Sequence, residues 1–364
     1  MKKVYYIGLD VHKDTTQMAV LEMKGKEPIA LKVIDSDPSK VAKAILPYHK
    51  EGKVYVGYEA GCMGYTLYRV LTEMKINCQI IAPNKVFKGG TNEKIKTDKR
   101  DATAIAWMLR REEGAGIAVP EREDEAARDL LRCRSDMQDD LKRAKQRMHK
   151  FLLRQGHIFE STRYWTGKHK KWMKTLVFEM PLDKAVFEQY LATIESIEER
   201  VARIDVQIQE IAETPRYAER VRIFRAFRGI DYIIALSLVC EIGDFKRFPQ
   251  ATALMSYLGL VPSEYSSGKK RKQGGITKTG NGHIRKLLTE AAWHYVRPVQ
   301  VSKRLETRRV GTSESVISCA DKAMNRLHKR YMKLVLKGKS KQAAVTAVAR
   351  ELSGFLWGVM TSAA

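Results

Sequence analysis

The chain has 364 residues, 44% of them hydrophobic, so it is long enough for two or three domains with real cores. It carries 66 Lys and Arg against 42 Asp and Glu, a formal net charge of +24. An enzyme of small metabolites gains nothing from that excess, whereas a protein facing a polyanion does, because each neutralised phosphate releases counterions.

The excess is uneven: residues 221–364 hold 26 basic against 9 acidic residues, net +17. No run of 18 apolar residues is present, so no membrane span is expected. The uncharged stretch after Met1-Lys2-Lys3 is too short for a signal-peptide core. The five cysteines, Cys62, Cys78, Cys133, Cys240 and Cys319, form no C-x-x-C pair. That argues against structural zinc and fits a cytoplasmic protein.

In chain order, residues 4–9, 17–22 and 29–34 read as three strands. Gly25, Lys26 and Pro28 mark the turn between the last two, which predicts a meander. A short helix over 41–48 and a strand over 54–58 ending at Glu59 follow. Next come a helix over 64–74, a strand over 78–81 closed by Pro83, a basic loop, and a helix from Asp98 to Arg111. This order, three strands and then β/α units, is that of a ribonuclease-H-like α/β fold, although a generic α/β domain shares much of it.

Residues 121–155 read as one long helix whose apolar stripe is broken by Arg134. In the next helix, Phe187, Tyr190, Ile194, Ile197, Val201, Ile204, Ile208 and Ile211 are spaced 3-4-3-4-3-4-3, a heptad seam ended by Pro215. A hairpin packed on its own chain and a dimeric coiled coil both satisfy that seam. Between the helices, Thr162 to Lys174 is basic and aromatic. It suits either stacking on a nucleic-acid strand or a solvated connector. Residues 229–244 read as helix–turn–helix material able to present backbone N–H groups to a phosphate. From Ile284 to about Leu356 the chain reads as helical and basic.

Four carboxylates stand where chemistry is expected. Asp10 and Glu59 end strands, and Asp98 and Asp101, three apart at a helix start, share one face. Each alone is an ordinary cap or helix-dipole partner. Converging at one point, they require a counterion, and Mg²⁺ suits oxygen ligands; two such ions about 4 Å apart stabilise the attacking and leaving oxygens of a phosphoryl transfer. His12 and Asp14 read as loop residues. Ser266-Ser267-Gly268 reads as a turn, which by composition is commonplace. It lies beside Lys269, Lys270, Arg271 and Lys272, cations able to neutralise charge as a serine attacks a phosphodiester. Nucleic-acid contact is expected from those four, together with Lys278, Arg285 and Lys286.

The motifs together resemble the DEDD transposases of bacterial insertion sequences, whose members act as bridge-RNA-guided recombinases. In the N-terminal half the resemblance rests on Gly8-Leu9-Asp10-Val11-His12-Lys13, Tyr58-Glu59-Ala60 and Lys96-Thr97-Asp98-Lys99-Arg100-Asp101-Ala102. In the C-terminal half it rests on Glu241-Ile242-Gly243-Asp244-Phe245, Tyr257 to Pro262, Ser266-Ser267-Gly268 and Gly274 to Asn281.

The resemblance implies a RuvC-like catalytic domain over 1–120, with the metal tetrad on Asp10, Glu59, Asp98 and Asp101. It implies a helical coiled-coil dimerisation segment over 121–215 and a mostly α-helical transposase domain over 216–364. The nucleophilic serine falls on Ser267, with Ser266 as the alternative. The implied reaction is Mg²⁺-dependent strand exchange through a covalent phosphoserine, with no ATP; no Gly-x-x-x-x-Gly-Lys-Ser/Thr loop is present. The implied partners are double-stranded donor and target DNA and a structured guide RNA. Homodimers are expected to pair into tetramers on DNA, the tetrad of one subunit facing the serine domain of another, with the protein cytoplasmic and nucleoid-associated when active. Two other readings of the same residues are a metal-dependent nuclease of the junction-resolvase type, with water as nucleophile, and a non-catalytic nucleic-acid-binding protein.

Overall fold

The computed structural model describes residues 3–83, 98–113, 116–267 and 270–362; of residues 266, 267 and 270–272 it describes the backbone. The chain divides into two compact units, Met1–Val119 and Pro120–Ala364.

The first unit is an α/β layer structure. Strands β1 (Lys3–Val11), β2 (Thr15–Glu22), β3 (Ala30–Asp35), β4 (Gly52–Glu59) and β5 (Asn77–Ile81) form one sheet in the order β3-β2-β1-β4-β5. β1 pairs antiparallel with β2 and parallel with β4, and the outer pairs continue those senses. Three helices flank the sheet: α1 (Pro38–Glu51), α2 (Thr66–Glu73) and α3 (Asp98–Arg110).

β1 is buried on both faces, so its alternation sorts residues between two cores rather than between core and water. Tyr5, Ile7 and Leu9 join Val41, Ile45, Leu67 and Leu71 of α1 and α2. Tyr6 joins Ile105, Ala106 and Leu109 of α3. Gly8 lies on that second face, where an added Cβ would stand 2.0 Å from the Ala102 carbonyl and 2.5 Å from the Ala106 nitrogen. Only a glycine lets the α3 backbone lie directly on the central strand. The first turn of α3 starts at Asp98.

The second unit is helical apart from one hairpin. Its elements are α4 (Arg122–Arg154), α5 (Gly167–Met173), α6 (Pro181–Ala212), α7 (Ala218–Arg225), α8 (Tyr232–Ile242), α9 (Ala251–Tyr257), the strands β6 (Pro262–Ser267) and β7 (Lys270–Ile276), then α10 (Gly282–Ala292), α11 (Lys303–Arg309), α12 (Glu314–Leu336) and α13 (Lys341–Ser362).

Helices α4 and α6, each about 50 Å long, pack against each other within the chain. Arg134 pairs with Asp205, Lys145 with Glu198 and Gln155 with Asp183, so the helices run antiparallel. Arg134 breaks the stripe because its guanidinium forks onto Asp205. The seam is filled from this chain's own α4: Phe187 and Ile194 meet Leu141, Met148 and Phe151. Ile204 and Ile208 join Ala127 and Leu131 in the main core.

That main core is centred on α8 and α13. Every residue of α8 from Ile234 to Ile242 is buried, and the Asp231 carboxylate accepts the Ile234 N–H at the helix start. The segment read as helix–turn–helix material is therefore an internal core helix, its entry N–H already satisfied by a side chain. The Lys- and Gly-rich run after Gly268 contains strand β7, held by pairing with β6. Among the described residues no helix is long and apolar enough to cross a membrane.

Candidate functional site

In the first unit Asp10 stands at the end of β1 and Glu59 at the end of β4. Of the four predicted carboxylates, Asp10 and Asp98 are the pair brought within ligand distance, together with His12. Leu9 pairs with Tyr58, so Asp10 and Glu59 are the next residues on adjacent parallel strands, about 4.8 Å apart in strand spacing. Both fall on the face where Gly8 meets α3. The close approach at Gly8 brings the first turn of α3 over those strand ends. Asp10, His12 and Asp98 then offer ligand atoms all within 4.8 Å of one another. His12 Nε2 lies 3.2 Å from Asp10 Oδ2 and 3.7 Å from Asp98 Oδ1.

Asp10 is half-buried, and burial pushes its carboxyl above the usual aspartate value. The His12 ring opposes that rise, while the negative charges of Asp101 and Asp98 add to it. Two carboxylates and an imidazole within reach of one point, Asp10 half-buried and His12 and Asp98 exposed, form a donor set that a divalent cation could use. His12 was read as a loop residue. The structure keeps it in the turn after β1, its N–H donating to Thr15 O at 3.1 Å, and from that turn its ring reaches Asp10 and Asp98.

In the second unit, Ser267 closes β6 and pairs in register with Lys270; Ser266 pairs with Arg271 and Tyr265 with Lys272. Ser267 and Ser266 therefore sit on a strand rather than in a free turn. Lys269, and the side chains of Ser266, Ser267, Lys270, Arg271 and Lys272, lie outside the described residues.

The base of the hairpin is stapled to the end of α9. Thr277 N–H donates to Val261 O (2.9 Å), Lys278 N–H to Gly259 O (3.1 Å) and Asn281 N–H to Tyr257 O (3.2 Å). Gly280, at φ 70°, makes this possible, since a Cβ there would lie 1.9 Å from Tyr257 O. Arg285 holds the same staple, donating from Nη1 to Leu258 O (2.8 Å) and Thr279 O (3.0 Å). Lys278 is exposed. Lys286 is also exposed, its Nζ 3.4 Å from Asp139.

Beneath the staple lies a buried polar clamp that sequence reading did not assign. Glu241, 4% exposed at the end of α8, accepts two hydrogen bonds from the Arg132 fork on α4, at 2.9 and 3.1 Å. It accepts a third from Asn281 Nδ2 at 3.0 Å. Asn281 in turn caps α10, its Oδ1 accepting the Ile284 N–H at 3.0 Å. Burial pushes the Glu241 carboxyl up. Arg132, Arg128 and Asn281 outweigh that and hold it below the usual glutamate value. Glu241 opens the Glu241-Ile242-Gly243-Asp244-Phe245 signature, but nothing local in it tells a buried clamp from a helix-end charge.

A family model described as Transposase IS116/IS110/IS902 family matches residues 221–305, the part that carries this hairpin. A second transposase family model matches residues 7–156, which include all four carboxylates. The transposase for insertion sequence element IS1533 of Leptospira borgpetersenii is 38% identical over 93% of this chain and 99% of its own length. The chain belongs to the IS110/IS116 family of DEDD transposases. The putative transposase y4qE of Sinorhizobium fredii is 35% identical over 98% of this transposase and 89% of its own length. At 24% identity, the transposase for insertion sequence element IS1111A of Coxiella burnetii still spans 82% of the chain. The two family models together cover Asp10, Glu59, Asp98 and Asp101 in the first unit and the β6–β7 hairpin in the second.

Proposed function

We propose that this transposase moves an insertion sequence by exchanging phosphodiester bonds in two steps. In the first, Ser267 Oγ attacks the scissile phosphorus as the 3′ oxygen leaves. This gives a phosphoserine on one DNA end and a free 3′ hydroxyl on the other. In the second, the 3′ hydroxyl of a partner strand displaces the serine and restores a phosphodiester. Each step makes one phosphate ester bond and breaks another, so no ATP is consumed.

Asp10, Glu59, Asp98 and Asp101 are the residues that would hold Mg²⁺, which when bound supplies positive charge at the non-bridging and leaving oxygens. The observation that carries this reading is the convergence of Asp10 with Asp98, close to Asp101, at the end of the central strand. The sheet order β3-β2-β1-β4-β5, with a meander followed by parallel strands, supports a ribonuclease-H-like or RuvC-like N-terminal domain over 1–120. The 121–215 segment serves as the dimerisation arm, and 216–364 as the serine-bearing domain. Lys269, Lys270, Arg271, Lys272, Lys278 and Lys286 contact the DNA. Arg285 acts through the staple it holds.

A composite site, tetrad from one subunit and serine from another, is assembled by dimers pairing on donor and target DNA. A structured guide RNA selects both by base pairing, so the protein reads backbone and the RNA reads sequence. The reaction belongs in the cytoplasm, on the nucleoid.

The test is a denaturing gel. The protein is mixed with RNA transcribed from DNA flanking its reading frame, labelled donor and target DNA, and Mg²⁺. Label migrating with protein, lost in Ser267→Ala and kept in Ser266→Ala, supports the reading. Cleaved DNA without an adduct in the wild type favours a water-using nuclease of the junction-resolvase type.

A further inference from the structure

Positive charge is also concentrated outside the C-terminal part of the chain. Residues 141–174, the distal half of α4 and the segment that turns the chain back, hold eleven Lys or Arg against the single acid Glu160. The facing stretch of α6, residues 181–200, is instead acidic, with five Asp or Glu against Lys184 and Arg200. Within the helical hairpin the positive charge is therefore segregated to one side of its tip.

The aromatic residues of the turn-back segment form one cluster, with Tyr164 and Trp165 at its edge, packed on the His169 ring at 5.2 and 5.3 Å. Phe159, His169 and Trp172 pack on one another, with ring centroids 4.9 to 5.3 Å apart, as the small core of the tip. Tyr164 and Trp165 are only half-buried. Together with Lys142, Lys145, Gln146 and His149 they line a groove of about 320 Å³. Lys145 Nζ stands 5.1 Å from the Trp165 ring centroid, and the His149 ring meets Tyr164 edge-on at 4.5 Å. Glu198 bridges Lys145 and Lys170 from α6, at 2.7 and 2.9 Å, and so fixes the lysine beside the tryptophan. Among the described residues no carboxylate lines the groove itself. Trp165 is held at φ 62°, a conformation bulky residues avoid, so the fold keeps this ring in place against local preference.

We propose that the tip of the α4–α6 hairpin binds single-stranded nucleic acid, with an unpaired base seated in this groove. The base stacks on Trp165 or Tyr164, and Gln146 and His149 are placed to meet its polar edge. The flanking phosphates lie along the exposed cations, Lys142 among them. Aromatic stacking beside positive charge is the combination that holds single strands with little dependence on sequence. A base inside a duplex cannot enter, because its faces are already stacked. This inference rests on the chain acting on nucleic acid, and not on which group attacks the phosphate.

Photocrosslinking of the full-length protein tests it. Twelve-residue oligonucleotides with a central 5-iodouracil are used as RNA, as single-stranded DNA and as a DNA duplex. None carries a cleavage site, so the result is independent of any phosphoserine. Adducts on Tyr164 or Trp165 with a single-stranded probe are expected. An RNA-only pattern assigns the strand to RNA, and a DNA-only pattern to an unpaired DNA strand. Trp165→Leu should weaken single-strand affinity by roughly fivefold or more. Since that variant can disturb the tip, Lys142→Gln with Gln146→Ala, both exposed, serves as the second test: less adduct at Tyr164 and Trp165 with unchanged thermal melting. Adducts equal or stronger with the duplex, or absent from residues 141–174 with both single-stranded probes, would overturn the proposal.

Discussion

The two units position their candidate chemistry by different means. In the first, carboxylates sit at the ends of strands and at the start of one helix, and a single missing side chain at Gly8 lets that helix reach them. The sheet does the positioning, and its geometry follows from short-range pattern. In the second, the serine-bearing hairpin depends on contacts between residues far apart in sequence: Arg132 with Glu241, and Glu241 with Asn281. A site on strand ends inherits its precision from the backbone ladder, whereas a site on a two-stranded hairpin must be braced from below. The braces here are a buried carboxylate, an arginine on backbone carbonyls and a glycine that permits close approach.

This contrast can be broken at several points. Asp10→Asn removes a charge from the carboxylate cluster without changing its shape. Strand cleavage in Mg²⁺ should fall by about 10³-fold, the equivalent of several kcal/mol of lost charge stabilisation, with the fold intact by circular dichroism. Gly8→Ala attacks the same site through packing. The new methyl must push α3 from the sheet, so stability should drop by about 3 kcal/mol and thermal melting should report it directly.

Glu241→Gln probes the brace in the helical unit. Loss of a buried charge-assisted pair should lower stability by about 2 kcal/mol at neutral pH. Its pH dependence has a definite sign. The carboxyl is held below its ordinary value of 4.5, so its contribution is complete above that pH and is lost as pH falls through the depressed value. Chemical denaturation should therefore show the gap between wild type and variant narrowing on acidification. Lys286→Gln is the mildest change. Stability should stay within about 0.5 kcal/mol, and DNA affinity should fall with the salt slope reduced by about 0.9.

The same contrast explains what was legible in the sequence. Strands β1, β2, β4 and β5, and the start of α3, follow from alternation, turn residues and apolar spacing, all local signals. Asp10, Glu59, Asp98 and Asp101 could be placed once those elements were placed. His12 reads as a loop residue and is one; its place beside Asp10 and Asp98 depends on the β1–β2 turn and on α3, which no local pattern shows. β7 was hidden because lysine and glycine are poor strand formers, and only its register with β6 makes it a strand. The seam of α6 satisfies a heptad whether its partner is α4 or a second chain, and the structure supplies α4. Glu241 was invisible as a clamp because Arg132 lies 109 residues away.

The central claim is that the carboxylates of one subunit and the serine of another act on the same phosphate. The most direct test mixes two inactive proteins, Asp10→Asn and Ser267→Ala, distinguished by size tags, on donor and target DNA with guide RNA and Mg²⁺. The account predicts that adduct formation returns in the mixture, and that the labelled DNA sits on the Asp10→Asn chain, whose serine is intact. A mixture as inactive as either protein alone, alongside an active wild type, would contradict it.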